Sequence, residues 1–266
     1  MKYVNEQNAA RIWNNAKNKF AGKDTVVYKN QTPSTAEVGG IPKGYVPPAE
    51  GIDASDLLDK LLHAYVAPVV SASASPTNGG TFEIGTTQSV TAVVVNITLG
   101  STAISKIEVF DGSTLIGSMT SGIKAGANTI TLSSPLSVTA NKQLSVTVTD
   151  GDNKTVTAKT GAFTFVSPYY WGVIGETATP TEALIKAATK VVQTKGNKSF
   201  NYTAAGQKML FAYPKSYGVL SKILDANSFD VTGTFERTEV TVDGVAYYAY
   251  SNAASTVTSF KMTFNY

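Results

Sequence analysis

The stretch LSVTVTDGDNKTVTA, residues 144–158, decides the fold class. On an extended chain Leu144, Val146 and Val148 point one way, and Ser145, Thr147 and Thr149 point the other. After the polar run Asp-Gly-Asp-Asn-Lys the alternation resumes with Val156 and Ala158. A period of two on both sides of a turn-forming run predicts an antiparallel hairpin with one wet face. The same pattern extends outward. IEVFDGSTLIG (107–117) is a second hairpin, with Asp111-Gly112 as its turn. SVTAVVVNITLG (89–100) and NTITLSS (128–134) add further strands. About seven short strands over residues 67–166 predict an immunoglobulin-like β-sandwich, here without the cysteine pair or core tryptophan of antibody domains.

Composition agrees with a mainly β chain. Of 266 residues, 42% are hydrophobic, enough for packed cores, and only 15% are charged. The net charge of +3 is small and the lysines are scattered, so nothing points to a nucleic-acid partner. With no cysteine, disulfides and thiolate metal sites are excluded. The N-terminus lacks the apolar core of a signal peptide, and no segment reads as a membrane span. The expectation is a chain made in the cytoplasm and not inserted in membranes.

Residues 1–66 read differently. The first 22 residues predict a helix, with Ala9, Ile12, Trp13, Ala16 and Phe20 on one narrow stripe. Prolines 42, 47 and 48 then forbid a regular helix or central strand, and Gly39, Gly40 and Gly44 permit backbone angles closed to other residues. Ile41, Tyr45 and Val46 nevertheless carry apolar surface that a free linker would not. An extended arm laid over a partner surface is expected. A second helix follows, capped by Asp53 or Ser55, with Leu57, Leu58, Leu61, Leu62 and Tyr65 on its apolar face and Pro68 beyond its end.

Residues 167–266 predict a C-terminal β-rich domain with one helix. Tyr169, Tyr170 and Trp171 read as an interdomain plug rather than a binding patch. Thr179, Pro180 and Glu182 read as a capping box opening a helix to about residue 192. Strand-like runs follow at GQKMLFAYP, FDVTGTFER, TEVTVDGVAYYAY and TVTSFKMTFNY, with Asp243-Gly244 as the sharpest hairpin turn. Phe260, Met262, Phe264 and Tyr266 place the C-terminus in a sheet.

Little in the sequence carries chemistry. A single histidine, His63, lies off the helical stripe, and no serine sits in a nucleophile elbow. Residues 150–154 look like the start of a calcium loop but lack its later ligands, and a hairpin turn explains them. The remaining catalytic possibility is a paired-carboxylate glycosidase using acids such as Asp225, Asp230, Glu236 or Glu239. The expectation is no enzyme, no cofactor and no metal site.

The order of parts resembles a known family. KYVNEQNAARIWNNAK (2–17), the VGGIPKG arm (38–44) and DLLDKLLHAYVAP (56–68) lead into the sandwich; PYYWGV (168–173) and LFAYPKSYGVLSKILDANSFDVT (210–232) follow it. Together they resemble virion appendage proteins of tailed bacteriophages, of the head-fibre type found in gut phages including the crAss-like group. The resemblance implies a homotrimeric fibre mounted on the capsid by its N-terminal region, with outward β domains that adhere to host-surface or mucus glycans. The alternative placement is a tail or baseplate receptor-binding protein. On this reading Ile12, Trp13, Ala16, Phe20, Gly39, Gly40, Ile41, Leu57, Leu58, Leu61 and Leu62 form the anchor and oligomer seam. Tyr247, Tyr248 and Tyr250 would contact glycans.

Overall fold

The structure is a computed structural model that describes residues 27–28, 33–34, 41, 44–62, 65–253 and 259–266. The helix expected over the first 22 residues, with Ile12, Trp13, Ala16 and Phe20, lies outside these residues, as do Gly39, Gly40 and His63. The chain is mainly β and divides into two compact units: Met1–Val69 with Thr98–Ala103, and Val70–Ile97 with Ile104–Tyr266.

In the larger unit, the first layer pair is the sandwich. One sheet orders β3 (Val69–Pro76), β5 (Gln88–Thr98) and β8 (Gly126–Val138). The other orders β7 (Thr114–Met119), β6 (Ile104–Asp111), β9 (Ser145–Asp150) and β10 (Thr155–Lys159). The chain changes sheet between β5 and β6, between β7 and β8, and again between β8 and β9. This is the Greek-key connectivity of an immunoglobulin-like sandwich.

The quoted stretch is the β9–β10 hairpin, pairing Val148 with Val156 and Val146 with Ala158. Leu144, Val146 and Val148 are fully buried. Asp150 Oδ1 accepts from the amides of Asp152 and Lys154, both at 2.9 Å, which accounts for the acidic turn. In β5, Val90 faces the core and so do Val93, Val95 and Ile97. The register shifts between Val90, paired with Leu136, and Ala92, paired with Thr131, so the extra residues lie in β8, and the inward parity of β5 inverts there.

Nine strands are present here rather than about seven. The additional pair is β4 (Gly80–Glu83) and β11 (Phe163–Val166), joined in parallel. They set Phe82 within 6 Å of both Phe163 and Phe165, ring centre to ring centre. Four residues each is too short for alternation to stand out, which is why periodicity passed over them.

The rest of this unit is built on two sheets. One, of five strands, orders β13 (Thr189–Val191), β12 (Tyr169–Gly175), β15 (Gln207–Pro214), β18 (Val245–Asn252) and β17 (Phe235–Val242). The other orders β14 (Lys198–Tyr202), β19 (Phe260–Asn265) and β16 (Lys222–Leu224). The larger sheet is covered on both faces. One face joins Phe211, Tyr213 and Tyr250 to Tyr202, Met262 and Phe264 of the smaller sheet. The other joins Tyr170, Leu210, Ala212, Tyr247 and Ala249 to Ile185 of a short helix. Two-sided burial explains why β15 and β18 read as apolar runs rather than alternations.

Several expectations are corrected. Tyr169, Tyr170 and Trp171 do not plug a domain boundary; they lie in β12, inside the five-stranded sheet, and Tyr169 and Tyr170 serve its opposite faces. The helix is Glu182–Ala187, capped by Thr181, whose hydroxyl accepts from Leu184 N at 3.4 Å. It does not reach residue 192. Ala188 turns extended and Thr189–Val191 pairs with β12, where residues of modest helix propensity gain ladder bonds instead. In FDVTGTFER only Phe235 and its successors form a strand, since Thr232–Thr234 is a 3-10 turn. The Asp243-Gly244 turn is as expected, with both residues at positive φ, 47° and 80°.

The aromatic core predicts a pH response. Burial, its leading cause in each case, holds the phenols of Tyr202, Tyr213, Tyr247 and Tyr266 above the ordinary tyrosine value. The unfolded chain therefore releases these protons first, so stability is complete below about pH 10 and falls as pH rises further. Absorbance at 295 nm should show a cooperative tyrosinate step coincident with loss of near-UV circular dichroism. Smooth ionisation of all 13 tyrosines near pH 10 with the fold retained would contradict this core.

Candidate functional site

Two regions present surfaces that the fold does not use up. The first is in the smaller unit. Val27–Tyr28 (β1) pairs with Ile52–Asp53 (β2), and Ser34 N bonds Tyr45 O at 3.0 Å while Gly44 N bonds Ser34 O at 2.8 Å. The described part of the arm is thus pinned at two points, with Ile41, Pro47 and Ile52 buried. Helix α1 (Ala54–Leu62) follows directly. Asp53 Oδ1 accepts from Ser55 N at 2.8 Å and from the Ser55 hydroxyl, which hold its carboxyl below the ordinary aspartate value. Asp53, rather than Ser55, therefore caps the first turn.

No residue of α1 is buried. Leu57, Leu58 and Leu61 are half-buried and Leu62 is 44% exposed. Val66 and Val69, further along the chain, are 60% and 69% exposed. The helical stripe is present, and the described residues cover it only in part.

The second region is in the larger unit, and it is not the tyrosine hairpin. Tyr247, Tyr248 and Tyr250 are 2%, 9% and 4% exposed. Tyr247 donates its hydroxyl to Pro168 O at 3.0 Å, and Tyr250 stacks on Tyr213 at 6.0 Å. Lys215 Nζ and the Arg237 guanidinium lie over Tyr248. These rings fill the cores on the two faces of the sheet, so the expectation that they contact glycans is withdrawn. They were singled out because tyrosine alternation marks a strand but does not say whether both its faces are covered.

The candidate acids are mostly occupied. Asp225 Oδ1 accepts from the amides of Asn227 and Phe229, and Asp230 Oδ1 from the amide and hydroxyl of Thr232. The Thr232 hydroxyl bond first, then its amide, holds the Asp230 carboxyl below its ordinary value, opposite to the need of a general acid. Glu239 pairs with Lys215 at 2.7 Å. Among the described residues, no group of three or more His, Asp or Glu is placed to hold a metal ion.

Glu236 is different. With Glu176, Lys208 and Asn252 it lines a cavity of about 510 Å³ at the start of β17. Phe235 lines it too, and also lines a neighbouring apolar cavity of about 230 Å³ whose walls include Met209, Phe260 and Met262. The two cavities have Thr234 and Phe235 as common wall residues. Asn252 spends its Oδ1 on Met209 N at 2.9 Å, which turns its NH₂ into the group on offer. Lys208 reaches Ala178 O at 3.4 Å. Sequence reading found Glu236 only as one acid among many. Its partners come from β15, β18 and the end of β12, and their adjacency depends on strand order.

No protein-family model matches the chain. No curated protein matches it either. Among solved structures, the chain is similar to the Clostridium thermocellum CbhA fibronectin(III)-like modules, at 22% identity and a TM-score of 0.26. The match covers 36% of this chain and 94% of that chain. No described helix is long and apolar enough to cross a membrane.

Proposed function

We propose that this chain is a non-catalytic structural appendage of a tailed-bacteriophage virion. It is a homotrimer, mounted on the capsid through its N-terminal unit, with its β domains directed outward. The observation that supports this reading is helix α1, whose leucine stripe the described residues cover only in part, beside an arm whose described part is hydrogen-bonded at Ser34, Gly44 and Tyr45. A helix of 9 residues has little stability alone, and covering its apolar face is what would hold it. Equivalent stripes from sister chains around a closed axis, or a shell protein, supply that cover. The family-like segments at 38–44, 56–68 and 210–232 give the setting. The non-catalytic part of the proposal is supported by the engagement of Asp225, Asp230 and Glu239 in turns and an ion pair.

The test is an image. Antibody raised against the exposed turn at residues 151–154 should label intact virions on the head, seen by gold electron microscopy. Gold on the tail would move the mounting point, and virions without any label would overturn the proposal.

A further inference from the structure

We infer that the connection between β5 and β6 joins helix α1 in the contact between sister copies, through Leu99 and Val66. This rests on the homotrimer proposed above and names a further part of its seam. Among the described residues, ten large hydrophobic side chains are exposed. Five of them, Val46, Leu62, Val66, Val69 and Leu99, belong to the smaller unit, although it is the shorter by far.

Leu99 is remote from the others in sequence, and a backbone clamp brings it to them. The Thr98–Ala103 connection belongs to the smaller unit. Val66 N donates to Ser101 Oγ at 2.7 Å, and Ser101 N donates to Val66 O at 2.9 Å. Gly100 lies so close that a Cβ there would stand 2.0 Å from Val66 O and 2.8 Å from the carbonyl carbon of Ala67. Only glycine permits that approach. The clamp fixes the Leu99 backbone next to that of Val66, with the two side chains 45% and 60% exposed.

The composition of this surface selects a sister copy as its cover. Residues 65–69 and 98–103 contain no Asp, Glu, Lys, Arg or His. A rotation axis sets each residue near its own equivalents, so a charge beside the axis would meet its like. A charge-free apolar band satisfies that condition, whereas the surface of a shell protein would impose no such exclusion. The band also follows the α1 stripe along the chain, since Val66 comes four residues after Leu62.

The experiment is disulfide trapping on the full chain. With no native cysteine, one introduced thiol can form a disulfide only with another copy. Leu99→Cys and Val66→Cys are oxidised with copper phenanthroline at micromolar concentration, beside Leu115→Cys, an exposed position in the sandwich. The first two should each give a band at twice the 28.0 kDa chain mass on a non-reducing gel. Thiols held together react at an effective concentration near millimolar, so they should cross-link about a hundredfold faster than Leu115→Cys. Sedimentation equilibrium of the unoxidised samples separates the outcomes. A trimer in which Leu99→Cys and Val66→Cys cross-link no faster than Leu115→Cys overturns this inference and leaves the homotrimer standing. Single copies at every concentration overturn both. A chain absent from virions but cross-linked as expected would keep this contact and overturn only the virion placement.

Discussion

On the proposed assembly, the double variant Leu57→Asp, Leu61→Asp should run as single copies of 28.0 kDa while the β domains keep their thermal transition. Both leucines lie on the apolar side of α1 and, among the described residues, both are only half-buried. Completing the burial of a leucine contributes up to about 1.5–3 kcal/mol, and closed symmetry repeats that gain in every copy. Aspartate removes the gain and adds a worse term, since carboxylates would meet around one axis without cations. Size-exclusion elution and a circular-dichroism melt recorded together check it. An unchanged elution volume would mean that α1 is not the seam, and a lost melt would mean that α1 supports the fold.

Phe264→Ala should cost about 3–5 kcal/mol, the usual range for deleting a buried aromatic ring. Phe264 is completely buried in β19, the middle strand of its sheet, and pairs there with Lys198 and Ile223. Its ring lies 4.1 Å from that of Phe211 across to the larger sheet, and Phe200, Tyr202 and Phe235 complete the surround. A cavity at this point touches both sheets, and side chains tied into a ring network collapse into it poorly. Urea denaturation followed by tryptophan fluorescence should show the midpoint fall sharply, because Trp171 reports from the same core, stacked on Phe200 at 4.8 Å. A loss below about 1 kcal/mol would show the site to be far looser than its packing.

What the sequence disclosed follows the range of each signal. Alternation is local, so β9–β10 and the Asp243-Gly244 hairpin could be read directly, down to which side chains face inward. Capping is local too, yet Thr181 was passed over for Thr179, because a proline at the next position imitates a helix start. The register shift between β5 and β8 and the parallel β4–β11 pair depend on partners far along the chain, and no window of sequence contains them. The same limit governs the candidate sites. The leucine stripe of α1 is one turn repeated and was visible at once. The cavity at the start of β17 draws Glu176, Lys208, Glu236 and Asn252 from four different places, and only the strand order β12-β15-β18-β17 makes them neighbours. The tyrosines erred the other way: composition made them look like a surface, and a second layer on each face of the sheet made them core.

The proposed homotrimer depends on the partly covered leucines of the N-terminal unit meeting partner copies. Sedimentation equilibrium of the full chain at micromolar concentration tests this most directly. The expected result is a single species of three times the 28.0 kDa chain mass. A single species at 28.0 kDa, unchanged on raising the concentration tenfold, would contradict it.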